Sequence, residues 1–139
     1  MAGVWTGELT YGEEFPSEIQ NKTKRFRIEL EESDGDISGK YFETEGFGII
    51  PDTAEINGFV EEDMISFVKQ YPAFYLVNKD GEIKTIDDRE PPEINYSGYY
   101  NEEKQSFEGD WNMVVEFQQL TFGYAESTVS GTWSMKKEN

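Results

Sequence analysis

Cysteine and histidine are both absent from the 139 residues. Without thiols there are no disulfides and no thiolate chemistry. Without imidazole the chain lacks the usual general base, the usual haem ligand and the commonest zinc ligand. Basic residues are scarce: 12 Lys and Arg stand against 29 Asp and Glu, giving a formal charge of −17. Such a field repels phosphate, which argues against nucleic acid and anionic membranes as partners. Long apolar runs are missing too, and nothing approaches the roughly 20 residues of a membrane-spanning helix. The opening Met1-Ala2-Gly3-Val4-Trp5 has no basic stretch and no apolar core, so no secretory leader is expected and the chain reads as cytoplasmic.

Aromatic residues are what the chain has in quantity. They make up 15% of it, while hydrophobic residues of all kinds reach only 36% and leucine occurs four times. Each aromatic buries far more area than Val or Ala, so one core remains within reach, and 1–139 reads as a single domain.

A short pattern organises the chain: apolar residue, any residue, Gly, any residue, apolar residue. It appears around Gly7, Gly39, Gly58, Gly98, Gly109 and Gly131, as in Trp5-Thr6-Gly7-Glu8-Leu9 and Phe107-Glu108-Gly109-Asp110-Trp111. Spacing by two puts the apolar residues and the glycine on one face of a strand. Phe26, Ile28 and Leu30 alternate with Arg25, Arg27 and Glu29 in the same way. Turn signals such as Ser33-Asp34-Gly35-Asp36, Glu61-Glu62-Asp63, Lys79-Asp80-Gly81 and Asn101-Glu102-Glu103-Lys104 separate these runs. Short hairpins imply antiparallel neighbours. The expected fold is all-β: a single antiparallel up-and-down barrel of about eight to ten strands. Glycines on the concave face let such a barrel coil tightly, or leave room for a ligand. Three stretches interrupt the meander. Asp87 to Glu93 carries Pro91-Pro92, which has no place in a central strand. Gln118 to Ser127 reads as a loop, and Gly46 to Pro51 reads as an apolar loop at one opening.

Gly3-Val4-Trp5 resembles the Gly-x-Trp motif that opens the first strand of lipocalins and related calycins. The resemblance implies a lipocalin-like barrel, with Trp5 closing its floor and a basic residue of the last strand, here Lys136 or Lys137, packed over it. The function it implies is the holding of a small molecule in the lumen.

Lys69 shares a strand face with Ile65, Phe67 and Tyr71, which should look inward. A buried Lys needs a partner or loses its charge, so the alternatives are a lumen anchor for an anionic head group and a rim lysine snorkelling to solvent. Tyr11, Tyr41, Tyr71, Tyr96, Tyr100, Trp111 and Trp133 share the inward register. The lumen set for a ligand is therefore Lys69, Tyr71, Tyr41, Tyr96, Tyr100, Trp111, Trp133 and Phe67. Many inward hydroxyls fit either a wet cavity of more than roughly 300 Å³ or a lumen filled by rings.

Asp34-Gly35-Asp36 lacks the downstream ligands of a calcium loop, and no nucleophile elbow, phosphate loop or dinucleotide fingerprint occurs. No cofactor, metal or catalytic residue is expected, and any enzymatic chemistry would fall to Lys, Tyr, Asp or Glu. Two functions stand: a binder of a small hydrophobic or amphipathic molecule, or a non-catalytic interaction or structural barrel with a filled lumen. In the second, outward Phe42, Phe59 and Tyr99 form a patch that serves as a homodimer face.

Overall fold

A computed structural model describes residues 1–15, 17–77, 80–86, 90–119 and 123–138. Among the described residues ten strands occur in the order β1 (Gly3–Tyr11), β2 (Thr23–Ser33), β3 (Asp36–Gly46), β4 (Ala54–Glu61), β5 (Met64–Gln70), β6 (Phe74–Val77), β7 (Ile83–Ile86), β8 (Ile94–Asn101), β9 (Ser106–Gln119) and β10 (Gly123–Lys137). Eight of them close into a barrel in which every neighbour is antiparallel: β1-β10-β9-β8-β5-β4-β3-β2. Among the described residues β6 and β7 pair only with each other, as an antiparallel pair inserted between β5 and β8. This is the expected all-β meander. Among the described residues no helix is long and apolar enough to cross a membrane.

Alternation sets which side chains enter the lumen. Along β2, Lys24, Phe26, Ile28 and Leu30 are buried, while Arg25, Arg27 and Glu29 are exposed. The tight turns follow residue chemistry: Asp34 and Gly35 both take positive φ, 51° and 88°, as the two-residue turn joining β2 to β3 requires.

The inward glycines answer to close approach. At Gly109 a Cβ would collide with the Ser97 carbonyl and the Cα of Gly98, its partner on β8. A neighbouring ring occupies what the missing side chain leaves. Phe26 reaches over Gly7, Trp133 over Gly98 and Trp111 over Gly131. Aromatics lean over glycines, and the wall curls tightly. Of the two uses expected of these glycines, the structure shows the first.

The described residues of Gln118 to Ser127 are strand, where a loop is expected. β9 runs to Gln119 and β10 begins at Gly123, with Gly123 opposite Gln119. β8 accompanies β9 only as far as Met113, and β1 accompanies β10 only from Gly131 onward. Among the described residues the remainder of β9 and β10 pairs only between these two strands, as a two-stranded ribbon. Phe122 of that stretch, Lys79 and Asp87–Arg89 lie outside the described residues.

The patch expected from Phe42, Phe59 and Tyr99 assembles only in part, without Phe42. Phe42 faces Arg27 across β2, while Phe59 and Tyr99 flank β5 opposite Ser66 and Met64.

Candidate functional site

The lumen divides into a lower apolar end and an upper end with charge in it. At the lower end Trp5 packs 5.5 Å from Phe107, and Tyr100 packs 5.1 Å from the same ring. The Trp5 indole N–H donates to the Met1 carbonyl at 2.9 Å. The register places Lys137 opposite Trp5.

At the upper end β2, β3 and β5 each send a polar side chain inward. Lys24 is the first inward residue of β2 and stands two residues before Phe26. Its ammonium donates to both Glu43 oxygens, at 2.9 and 3.0 Å, and to the Gly48 carbonyl at 3.1 Å. Glu43 follows Tyr41 by two on β3, and its side chain is 0% exposed. The carboxylate also accepts the Ile50 N–H at 2.7 Å, the Tyr41 hydroxyl at 3.2 Å and the Tyr71 hydroxyl. One ion pair thus ties the loop after β3 to the barrel end. Ile50 of that loop is buried, and Phe47 stands 5.9 Å from Tyr11. The apolar loop does lap over an opening, as a plug.

Lys69 sits deeper. It is buried, and its ammonium donates to the Tyr96 hydroxyl at 2.8 Å. It lies 4.0 Å from the centroid of Tyr41, 5.0 Å from Tyr71 and 5.1 Å from Tyr96, within cation–π range of all three. Among the described residues it forms no ion pair. It does not snorkel to the rim. Burial pulls its pKa down to about 7; Glu43 opposes the fall and Lys24 adds to it. Burial also pulls on Lys24, but Glu43 and Tyr11 outweigh it and hold that ammonium above its ordinary value. Burial works to raise Glu43, yet Lys24 and Lys69 keep it below the usual carboxylate range. Burial lifts the phenols of Tyr41, Tyr71 and Tyr96 well above 10, so they stay neutral. With Lys69 protonated, two ammonium groups share one carboxylate, and the cluster carries a buried excess positive charge.

Six of the eight expected lumen residues form one continuous group. Phe67 stacks on Tyr96 at 4.7 Å and 12°, and Trp133 touches both rings at 5.6 and 5.7 Å. Tyr41, Tyr71 and Lys69 complete it. Trp111 joins a different wall, 5.9 Å from Tyr11 and from Phe15. Both tryptophan N–H groups are taken by backbone carbonyls: Trp111 by Thr10, Trp133 by Ser97 and Asp110. Tyr100 is inward but belongs to the lower end, apart from the cluster. Lys24 and Glu43 are additions. Both are readable as inward positions, Lys24 from its step of two before Phe26 and Glu43 from its step of two after Tyr41; that the two meet is not.

The expected cavity is not preformed. Tyr41 is 0% exposed, Tyr96 1%, Lys69 2% and Phe67 3%, so no water-sized space touches them to any extent. Two shallow recesses, bordered by Gly12, Glu14 and Asp110 and by Tyr99, Glu102 and Glu108, lie on the outer surface.

No family model and no curated protein matches this chain. The crystal structure of rhizavidin is similar to it with a TM-score of 0.48 at 16% identity, over 96% of this chain and 84% of that one. The likeness is one of overall shape.

Proposed function

We propose that the barrel binds a small amphipathic molecule with an anionic head group, held at its upper end with the head against Lys69. The observation that carries this is the buried ammonium of Lys69, which has a phenol and three ring faces around it but no carboxylate in contact. An unpaired charge buried this way is costly, and it is found where a function retains it. A bound carboxylate supplies the missing counter-charge. Since the lumen is filled, the guest's tail takes the place of Phe47 and Ile50, which the Glu43–Lys24 pair holds in position through backbone groups of their loop.

Isothermal titration with decanoate, decanol and the Lys69→Met variant tests this. Saturable one-to-one binding of decanoate is expected, weakened at least tenfold by K69M and by loss of the charged head, a difference of about 1.4 kcal/mol or more. Equal decanoate affinity in wild type and K69M would overturn the reading.

A second reading has its own observation. The outward residues of β5 are Met64, Ser66, Val68 and Gln70, and those of β8 are Asn95, Ser97, Tyr99 and Asn101. Neither strand shows a charge to solvent, in a chain of net charge −17. Two copies repel each other least through this face, with Phe59 and Tyr99, 41% and 67% exposed, at its margins. Sedimentation of wild type against Tyr99→Glu checks it: a monomer in both cases removes this reading.

A further inference from the structure

The same lysine offers a second chemistry, that of an amine nucleophile. We infer that Lys69 captures apolar aldehydes as a Schiff base, with Tyr96 as the acid that serves the carbonyl oxygen. The inference rests on the proposed guest site for access, but it needs no anionic head group.

Three features of the geometry point to it. First, the Lys69 side chain is enclosed by the rings of Tyr41, Tyr71 and Tyr96, an apolar setting that favours a neutral amine and a neutral imine over an ammonium. Second, a proton-bearing phenol lies 2.8 Å from the nitrogen, within reach of an oxygen added to the carbon that nitrogen attacks. Third, the two lysines of the cluster differ. Lys24 has both oxygens of Glu43 and a carbonyl to hold it as an ammonium, whereas Lys69 has one phenol. The charged and titratable groups facing Lys69 are Glu43 and Tyr41 on β3, Lys24 on β2, Tyr96 on β8 and Tyr71 just past the end of its own strand. Their balance, dominated by burial, leaves Lys69 with a pKa of about 7, so a large fraction is free amine at neutral pH.

The step balances without any further reagent. The nitrogen lone pair forms a C–N bond to the carbonyl carbon while the C=O π pair moves to oxygen. That oxygen takes a proton from Tyr96, and the phenol is restored by a proton from the nitrogen. The carbinolamine hydroxyl then leaves as water, taking the second amine hydrogen, and C=N forms. One aldehyde and one amine give one imine and one water.

The test uses decanal, the uncharged counterpart of decanoate, with cyanoborohydride to fix any imine as a secondary amine. Intact mass and peptide mapping then locate the label among the nine lysines of the chain. At one equivalent of decanal and pH 7.5, Lys69 should carry at least ten times the label of the average other lysine. Labelling spread evenly over the surface lysines, or absent from Lys69, overturns the inference. Decanoate titration of the wild-type protein, run beside the labelling, separates it from the binding reading. If wild type binds decanoate yet leaves Lys69 unlabelled, aldehyde capture alone falls. If wild type neither binds decanoate nor labels Lys69, both readings fall. Because the mapping is done on wild type, its outcome does not depend on how well a variant folds.

Discussion

The two ends of the barrel are built from the same inward register but from opposite chemistry. The lower end is closed by Trp5, Tyr100 and Phe107, whose rings need from the protein little more than space and one N–H acceptor. The upper end holds Lys24, Glu43 and Lys69 among four tyrosines. Burying charge there is a cost to stability that the lower end does not carry, and a surplus ammonium makes it larger. Such an arrangement persists where it serves binding or chemistry, and for that reason the functional readings are placed at the upper end.

The largest test of this contrast is Glu43→Gln. It leaves Lys24 buried without a carboxylate and weakens the hold on Ile50 and Gly48, so a loss of about 3–5 kcal/mol is expected. Urea unfolding measures it. Next comes Lys69→Met, which removes the surplus charge at similar volume. It should stabilise the fold by about 1–4 kcal/mol while weakening decanoate binding, and a destabilised variant would show that Lys69 is a structural support.

The pH dependence of stability is the third test. The folded pKa of Lys69, about 7, lies below its ordinary value of 10.5. The unfolded chain therefore binds more protons between those values, and stability should rise with pH across that window. The slope approaches about 1.4 kcal/mol per pH unit before the buried tyrosines, with pKa values raised above 10, reverse the trend. In K69M the rise should vanish. Fourth, Phe107→Leu at the lower end should cost about 1 kcal/mol, with no change in the pH profile. The smallest effect belongs to the exposed Arg25, whose contacts with Glu8 and Glu45 are 3.7 and 3.6 Å. Arg25→Gln should shift stability by less than about 0.5 kcal/mol.

Much of this architecture was readable from residue order. The Gly-centred pattern placed Trp111, Trp133 and Tyr96 inside, and Asp34-Gly35 marked its turn. Gln118 to Ser127 gives strand where a loop is expected, because Gln118–Gln119 and Gly123–Ser127 are held by backbone pairing between β9 and β10, which needs no apolar alternation. Phe42 stands apart from Phe59 and Tyr99 for another reason: alternation tells which face a residue is on, not how far apart two such residues stand around the wall.

The sequence by itself determined the barrel and the inward direction of Lys69, because a period of two and short hairpins are local properties of the chain. Only the tertiary structure decided which of 29 acids meets Lys24, and that Tyr100 stands at the far end from Lys69. It also decided that the lumen is filled by rings. These depend on register across strands distant in sequence, and on how large side chains share one enclosed volume. No local pattern encodes either of them.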